Sequence, residues 1–381
     1  MTAAGAGEHY LDHAATTPMR QCAIDAWVRH ARDLNPGGQY AAGRAARHAL
    51  DESREAVAAA LGADPVEVIF TGAGSEADNI AVQGLYRAGV VAGRPARVVA
   101  SQLEHSAVFQ TVRHLGAEVV DLPVDAGGRV SDLSALAEPA AVAACMLANN
   151  ETGAIQPVDK VIAAADAAGT PVHVDAVQAV GKVAVDFHAM GATTLAASGH
   201  KFGGPRGVGV LLARRSPAPE AVVFGGGQER GLRPGTNDVA GAAAFAAALT
   251  EALAEREAEN ARVSALRDRL REGILARVDD VRVNTTEPAL PGHLSVSFPG
   301  AEGDSLIMLL DAAGIAAATG SACSSGVNRA SRVLLAAGVP EATARGTLRF
   351  SLGHTSTDAD VDRVLAVLPE VVARARAAGM A

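Results

Sequence analysis

The chain predicts an α/β fold, a large unit on a mostly parallel sheet followed by a smaller α+β unit. Three observations lead there. Between about Val66 and Arg214, short continuous apolar runs alternate with helix-like stretches. Such runs suit strands buried on both faces, and the helices between them suit crossover connections. Beyond a long charge-rich helical stretch the alternation stops, and the length of 381 residues exceeds what one small core needs.

In chain order, the expected strands are Val66-Glu-Val-Ile-Phe70, Arg97-Val-Val-Ala-Ser101, Ala141-Val-Ala-Ala-Cys-Met-Leu147, Pro171-Val-His-Val174 and Gly207-Val-Gly-Val-Leu-Leu212. A helix over about Ala240 to Ala276 carries Glu251, Glu255, Glu257, Arg262, Arg267, Arg269 and Arg271. Most of those charges are expected on a solvated face, and the helix leads into a second unit from near residue 260. There the expectation is strands at Leu294 to Phe298 and Leu348 to Ser351, and helices at Ser305 to Ala313 and Asp358 to Ala378.

Composition narrows the function classes. A net charge of −9 argues against a general nucleic-acid binder and against docking on an anionic membrane. No apolar run approaches the roughly 20 residues of a membrane span. Met1 to Gly7 lacks a basic region followed by an apolar one, so a cytosolic location is expected. Three scattered cysteines, Cys22, Cys145 and Cys323, form neither a disulfide framework nor a zinc site, and no metal is expected.

Polar and glycine-rich clusters follow the expected strands. Phe70 leads into Thr71-Gly-Ala-Gly-Ser-Glu-Ala-Asp-Asn79, Ser101 into Glu104-His105-Ser106, and Leu147 into Asn149-Asn150-Glu151. Val174 leads into Asp175 and Gln178, and Leu195 into Ser198-Gly-His-Lys201. Open α/β sheets bind ligands outside the carboxyl ends of their strands, so five clusters there could build one site. Each alone has a plainer reading. Gly72-Ala-Gly-Ser75 could cradle a phosphate at a helix N-terminus, or could be a helix start with Ser75 as its cap. Lys201 could be a tuned amine or simply exposed. Asp175, in an apolar setting, needs a partner, which could be a ligand cation, an Arg or a backbone cap.

Cys323 stands apart from the other two cysteines. It lies in Ala317-Ala-Thr-Gly-Ser-Ala-Cys-Ser-Ser-Gly326, where small residues on both sides imply an open, mobile loop. Cys22, in a helix-like run, and Cys145, within a strand, fit the usual buried and inert thiol. An accessible thiol is the kind that reacts.

Taken in this order, the motifs resemble the cysteine desulfurases of the aminotransferase class V group, which use pyridoxal 5'-phosphate (PLP). The resemblance runs from Tyr10-Leu-Asp-His-Ala-Ala-Thr-Thr-Pro18 to Leu348-Arg-Phe-Ser-Leu-Gly353. Its most specific pieces are Ser198-Gly-His-Lys201, Gly225-Gly-Gly-Gln-Glu-Arg230 with Arg233-Pro-Gly-Thr236, and Thr319-Gly-Ser-Ala-Cys323, the last resembling the group with the long flexible cysteine loop. The resemblance implies an aspartate aminotransferase-like, PLP-dependent transferase fold. Its large PLP-binding domain would span 13–258, and a small domain over 259–381 with 1–12 would carry the cysteine loop. Lys201 would hold PLP as a Schiff base and act as catalytic base, Asp175 would pair with the pyridine nitrogen, and His105 would stack on the ring. Gln178 and Asn150 would bind its hydroxyl side. Ser75 with Gly74, Ser198 and His200 would hold the phosphate, with Thr236 reaching it from the other subunit of a homodimer. Arg349 and Asn35 would grip the carboxylate of L-cysteine, and Cys323 would take its sulfur as a persulfide, leaving L-alanine. The sulfur would pass to an acceptor protein in iron–sulfur cluster assembly or a thiolation pathway.

The chain departs from the family pattern at Asn35-Pro-Gly-Gly-Gln-Tyr40, where relatives often read Asn-Pro-Ser-Ser-x-His, and at Ser75, where Thr is common. Some relatives also have a longer C-terminal tail that docks an iron–sulfur scaffold. Two other readings stand beside this one. Another class V enzyme, such as a selenocysteine lyase, β-lyase or aminotransferase, would share Lys201 and Asp175 but not need Cys323. A non-catalytic scaffold of the same fold would bind no PLP.

Overall fold

The structure is a computed structural model that describes residues 9–320 and 330–379. The chain opens with strand β1 (His9–Tyr10) and helices α1 (Gln21–His30) and α2 (Ala41–Leu61). Then β2 (Val68–Thr71) runs into α3 (Gly74–Val91), β3 (Arg97–Ser101) into α4 (Ser106–His114), and β4 (Glu118–Leu122) leads to β5 (Val142–Ala144). Next come α5 (Val158–Ala167), β6 (Val172–Asp175), the one-turn α6 (Phe187–Met190), β7 (Thr194–Ser198) and β8 (Gly209–Ala213). Helix α7 (Val239–Leu275) precedes β9 (Arg282–Val283), β10 (His293–Ser297), α8 (Gly303–Ala312) and β11 (Ile315–Ala316). The chain closes with α9 (Arg332–Ala336), α10 (Glu341–Arg345), β12 (Thr347–Ser351) and α11 (Asp358–Gly379).

Seven strands form the main sheet in the order β2-β8-β7-β6-β5-β3-β4. β8 runs antiparallel to both of its neighbours, and the pairs from β7 to β4 are parallel. The strands from β5 to β8 are buried at every residue, so continuous Val, Leu and Ala runs replace strict alternation. A second sheet has the order β12-β10-β9.

Two hydrophobic cores are built around these sheets. The first gathers residues of the main sheet with Val239 to Ala252 of α7, and the second gathers Leu11, the β10 and β12 residues and Val263 to Ile274 of α7. Helix α7 therefore crosses from one core to the other between Ala252 and Val263. Most of the charges along it stay on a solvent-exposed face, as expected, while several also bind neighbouring elements. Glu251, Glu255 and Glu259, one helical turn apart, converge on Arg20, which is 6% exposed. Arg262 donates to the backbone carbonyls of Gly353, His354 and Ser356, and Arg269 pairs with Asp358 and Asp362. A buried guanidinium needs compensating charge, and α7 supplies it from a distant part of the chain.

Candidate active site

Lys201, Asp175, His105 and Ser75 each sit just where a strand of the main sheet ends. Lys201 closes the single 3-10 turn Gly199–Lys201 that follows β7, and its Nζ donates to the carbonyls of Ala14 at 2.6 Å and Ala15 at 2.9 Å. Burial, and then the Arg349 charge, push its amine from 10.5 down to about 8. Asp175 ends β6 and is 4% exposed, with the Val177 amide donating to its Oδ1 at 2.9 Å. Burial raises the pKa of its carboxyl, while His105, that amide and Lys201 pull the other way. His105 is the N-cap of α4, its Nδ1 accepting from the Ala107 amide at 3.2 Å.

These residues share one cavity of about 450 Å³. Its lining includes Gly74, Ser75, His105, Asn150, Asp175, Gln178, Ser198, His200, Lys201 and Arg349. The Gly74-Ser75 end is the start of the 18-residue helix α3, which has no side-chain cap, and Ala73, Gly74 and Ser75 line the cavity there. Gly74 has a steric reason to be glycine, because a Cβ there would lie 2.6 Å from Val177 Cγ2. His200 is held neutral, its pKa lowered to about 4 by burial and then by Lys201, and its Nδ1 lies 3.0 Å from Thr16 Oγ1. Gln178 donates to Ala14 O at 2.8 Å and accepts from Lys182 Nζ at 3.3 Å.

Arg349, in β12, reaches the cavity from the second sheet. Its Nη2 donates to Asp12 Oδ1 at 2.6 Å and its Nη1 to Asn150 O at 2.9 Å, while its Nε is buried without a partner. A guanidinium with donor capacity left suits a carboxylate ligand.

Two expected site residues are not brought to this cavity. Asn35 is exposed, its Oδ1 accepting from the Gly37 amide at 2.8 Å, and Thr236 is exposed beyond Arg233. Cys323 lies outside the described residues. Cys22 sits in α1 as expected, whereas Cys145 lies just past β5 rather than within a strand. Their thiols are poor nucleophiles. Burial, then Glu251, raises Cys22 to about 11, and burial raises Cys145 well above its usual value.

The structure adds residues the sequence reading did not assign. Asp78, inside α3, lies 3.1 Å from His173 Nε2, and its pKa is raised by burial and then by the charge of Asp175. Ligand atoms of Asp78, His105 and Asp175 lie within 4.8 Å of one another. Glu229 accepts from Arg54, from the Phe70 amide and from Asn237, and Arg233 pairs with Glu76 in the first turn of α3. The Arg233–Glu76 pair ties the Gly225–Thr236 motif to the phosphate-side helix α3, and the Arg54–Glu229 pair ties it to α2. The one local signal for them is a carboxylate in an otherwise apolar or glycine-rich run.

The donor set fits PLP. An anion end of helix amides and hydroxyls, a buried carboxylate floor suited to a cationic ring nitrogen, and a lysine with a lowered pKa all face one cavity. Fold and site together define the class: residues 9–364 match the family model for aminotransferase class-V, and the chain belongs to that family of PLP enzymes. Within it the chain is a member of the cysteine desulfurases. It is 48% identical to the "IscS-like cysteine desulfurase" of Mycobacterium tuberculosis, over 98% of each chain. It is 39% identical to "Cysteine desulfurase IscS" of Methanosarcina thermophila, over 96% of this chain and 92% of that one. A solved NifS-like protein superposes with a TM-score of 0.88 at 32% identity, covering 96% of this chain and 100% of the other.

Proposed function

We propose that this protein converts L-cysteine to L-alanine and holds the released sulfur on Cys323 as a persulfide. One observation carries the reading: Gly320, three residues before Cys323, lines the same cavity as Lys201, Asp175 and Arg349. Three residues of chain span at most about 10 Å, a separation short enough for the thiol to reach the cavity.

The residues then divide the work. Helix α3 with Ser75, Ser198 and His200 would hold the cofactor phosphate, and Asp175 would hold its ring nitrogen. His105 would cover the ring, and Gln178 and Asn150 would bind at its hydroxyl. Bound there, PLP supplies an electron sink for the substrate carbon. Arg349 binds the substrate carboxylate with its free donor capacity. The Lys201 amine would take the Cα proton and return it to Cα as alanine forms. The Cys323 thiolate attacks the substrate sulfur, so an S–S bond forms as the Cβ–S bond breaks. The electron pair stays with carbon, which gains a proton to become the alanine methyl group. Carbon is reduced and sulfur oxidised to the persulfide level, with no outside oxidant. The persulfide sulfur then passes to an acceptor protein of iron–sulfur assembly or thiolation, in the reducing cytoplasm. Purified enzyme given L-cysteine and a thiol reductant should release alanine and sulfide in equal amounts. Sulfide appearing with pyruvate and ammonia instead would identify a β-lyase.

The division at 13–258 and 259–381 with 1–12 belongs to this reading, supported by the passage of α7 between two cores. So does a homodimer with composite sites. Thr236 is exposed and away from its own cavity, and α1 leaves Ile24, Trp27 and Val28 exposed near Leu34 in sequence. Sedimentation of the holoenzyme should give twice the chain mass. A monomer at full PLP occupancy would contradict the composite site.

A further inference from the structure

The chain leaves the Cys323 segment through residues whose side chains and packing all engage active-site turns. Ser331, 2% exposed, donates from its hydroxyl to Glu151 Oε2, beside the cavity residue Asn150, and also caps α9 by accepting from the Leu334 amide. Arg332 donates through Nη1 to Gln102 O and through Nη2 to Glu104 O at 2.5 Å. Val333 packs on Leu103 and Met146, both buried. Gln102 to Glu104 is the turn that presents His105, and Glu104 in turn accepts from the Met146 amide at 2.7 Å.

The Arg332 guanidinium is also stacked. Its central carbon lies 3.7 Å from the Phe109 ring centroid, and that of Arg113 lies 3.6 Å from the same centroid. Two groups so close to one centroid must occupy opposite faces, so Phe109 is held between two guanidiniums. Phe109 belongs to α4, the helix capped by His105. Arg332 therefore grips the turn before His105 through two carbonyls and the helix after it through a ring.

We propose that Arg332 is a positioning residue for sulfur transfer, bolting the chain that emerges from the Cys323 segment to the turn and helix that carry His105. The inference rests on the proposed function. Two carbonyl bonds and a flat stack fix a guanidinium in position and orientation, which an ammonium cannot do. With the C-terminal stem held, the distance between the thiol and the substrate sulfur is set by the remaining chain rather than by free motion of α9. Displacing that stem should slow the step that uses Cys323 and spare the steps that use Lys201.

The test compares holoenzymes carrying R332A, R332K or F109L with wild type by three readouts. These are the cofactor absorbance spectrum, its change on adding L-cysteine, and persulfide on Cys323 followed by mass. In R332A the persulfide rate should fall about ten- to a hundredfold, the scale for a misplaced reacting group. The spectrum and its cysteine response should stay within about twofold of wild type. R332K and F109L should show the same split with smaller losses, and they serve should R332A not fold. An unchanged persulfide rate in these variants would overturn the inference. So would an equal loss of the cysteine response, which would make Arg332 a support of His105 alone. A wild-type enzyme that never forms persulfide at Cys323 would overturn the proposed function together with this inference. Normal wild-type persulfide with unaffected variants would overturn this inference only.

Discussion

Cys323→Ser should keep its PLP and its spectral response to cysteine, yet lose alanine production on the order of 10³-fold or more, the scale of removing a catalytic nucleophile. Neither cofactor binding nor substrate binding uses the thiol, since the groups that line the cavity for those tasks are Lys201, Asp175, His105 and Arg349. Sulfur transfer does use it, because the attacking species is a thiolate. The other two cysteines cannot stand in. The Cys22 thiol, raised to about 11 by burial and Glu251, is protonated at neutral pH, and Cys145 is wholly buried, which raises its pKa well above the usual thiol value. Incubation with labelled cysteine and peptide mass analysis decides the matter. Label on Cys22 or Cys145, or normal turnover by the serine variant, would defeat the assignment.

Lys201→Ala should abolish PLP that borohydride can fix to the chain and lower turnover on the order of 10³-fold or more, since it removes both attachment and base. Some PLP should stay bound through the α3 end of the cavity, which the substitution leaves intact. The same amine predicts a pH dependence in the apo-enzyme. Only the neutral amine attacks an aldehyde, and burial with Arg349 lowers this pKa from 10.5 to about 8. A lowered amine pKa brings the neutral form in at lower pH. The rate of borohydride-fixable PLP uptake should therefore rise about tenfold per unit up to pH about 8 and level off above it. A rate still climbing at pH 10, or PLP fixed to another lysine, would remove Lys201 from the role.

The strands carrying the site were legible because burial on both faces leaves a local mark, an unbroken apolar run. The strand expected at Arg97 to Ser101 is β3, and the one expected to end at Val174 is β6, which adds Asp175. The run at Ala141 to Leu147 overshot, since β5 ends at Ala144 and the chain then turns through Met146 and Ala148 into the cavity wall. Buried turns and buried strands are equally apolar, so periodicity does not separate them. Strand β4 was missed because its residues are only partly buried toward the sheet edge, where the apolar signal weakens.

By itself, then, the sequence determined the α/β class, the α7 crossing helix, the family, and the placing of Lys201, Asp175, His105 and Ser75 after strands. The family rests on the resemblance of its motifs; the rest follow from short-range patterns: apolar runs, small residues before a helix, and a polar residue where a strand stops. Only the tertiary structure decided what those residues touch. Arg349 meets Asp12 across 337 positions, and Arg332 meets Gln102 across 230. Glu251, Glu255 and Glu259 look solvated on their own helix until Arg20 folds against them. Asn35 and Thr236, assigned by motif, lie outside the cavity of their own chain. The reason is physical: a helix or strand leaves a period in its own residues, whereas a contact between distant segments depends on how the sheets stack and leaves none.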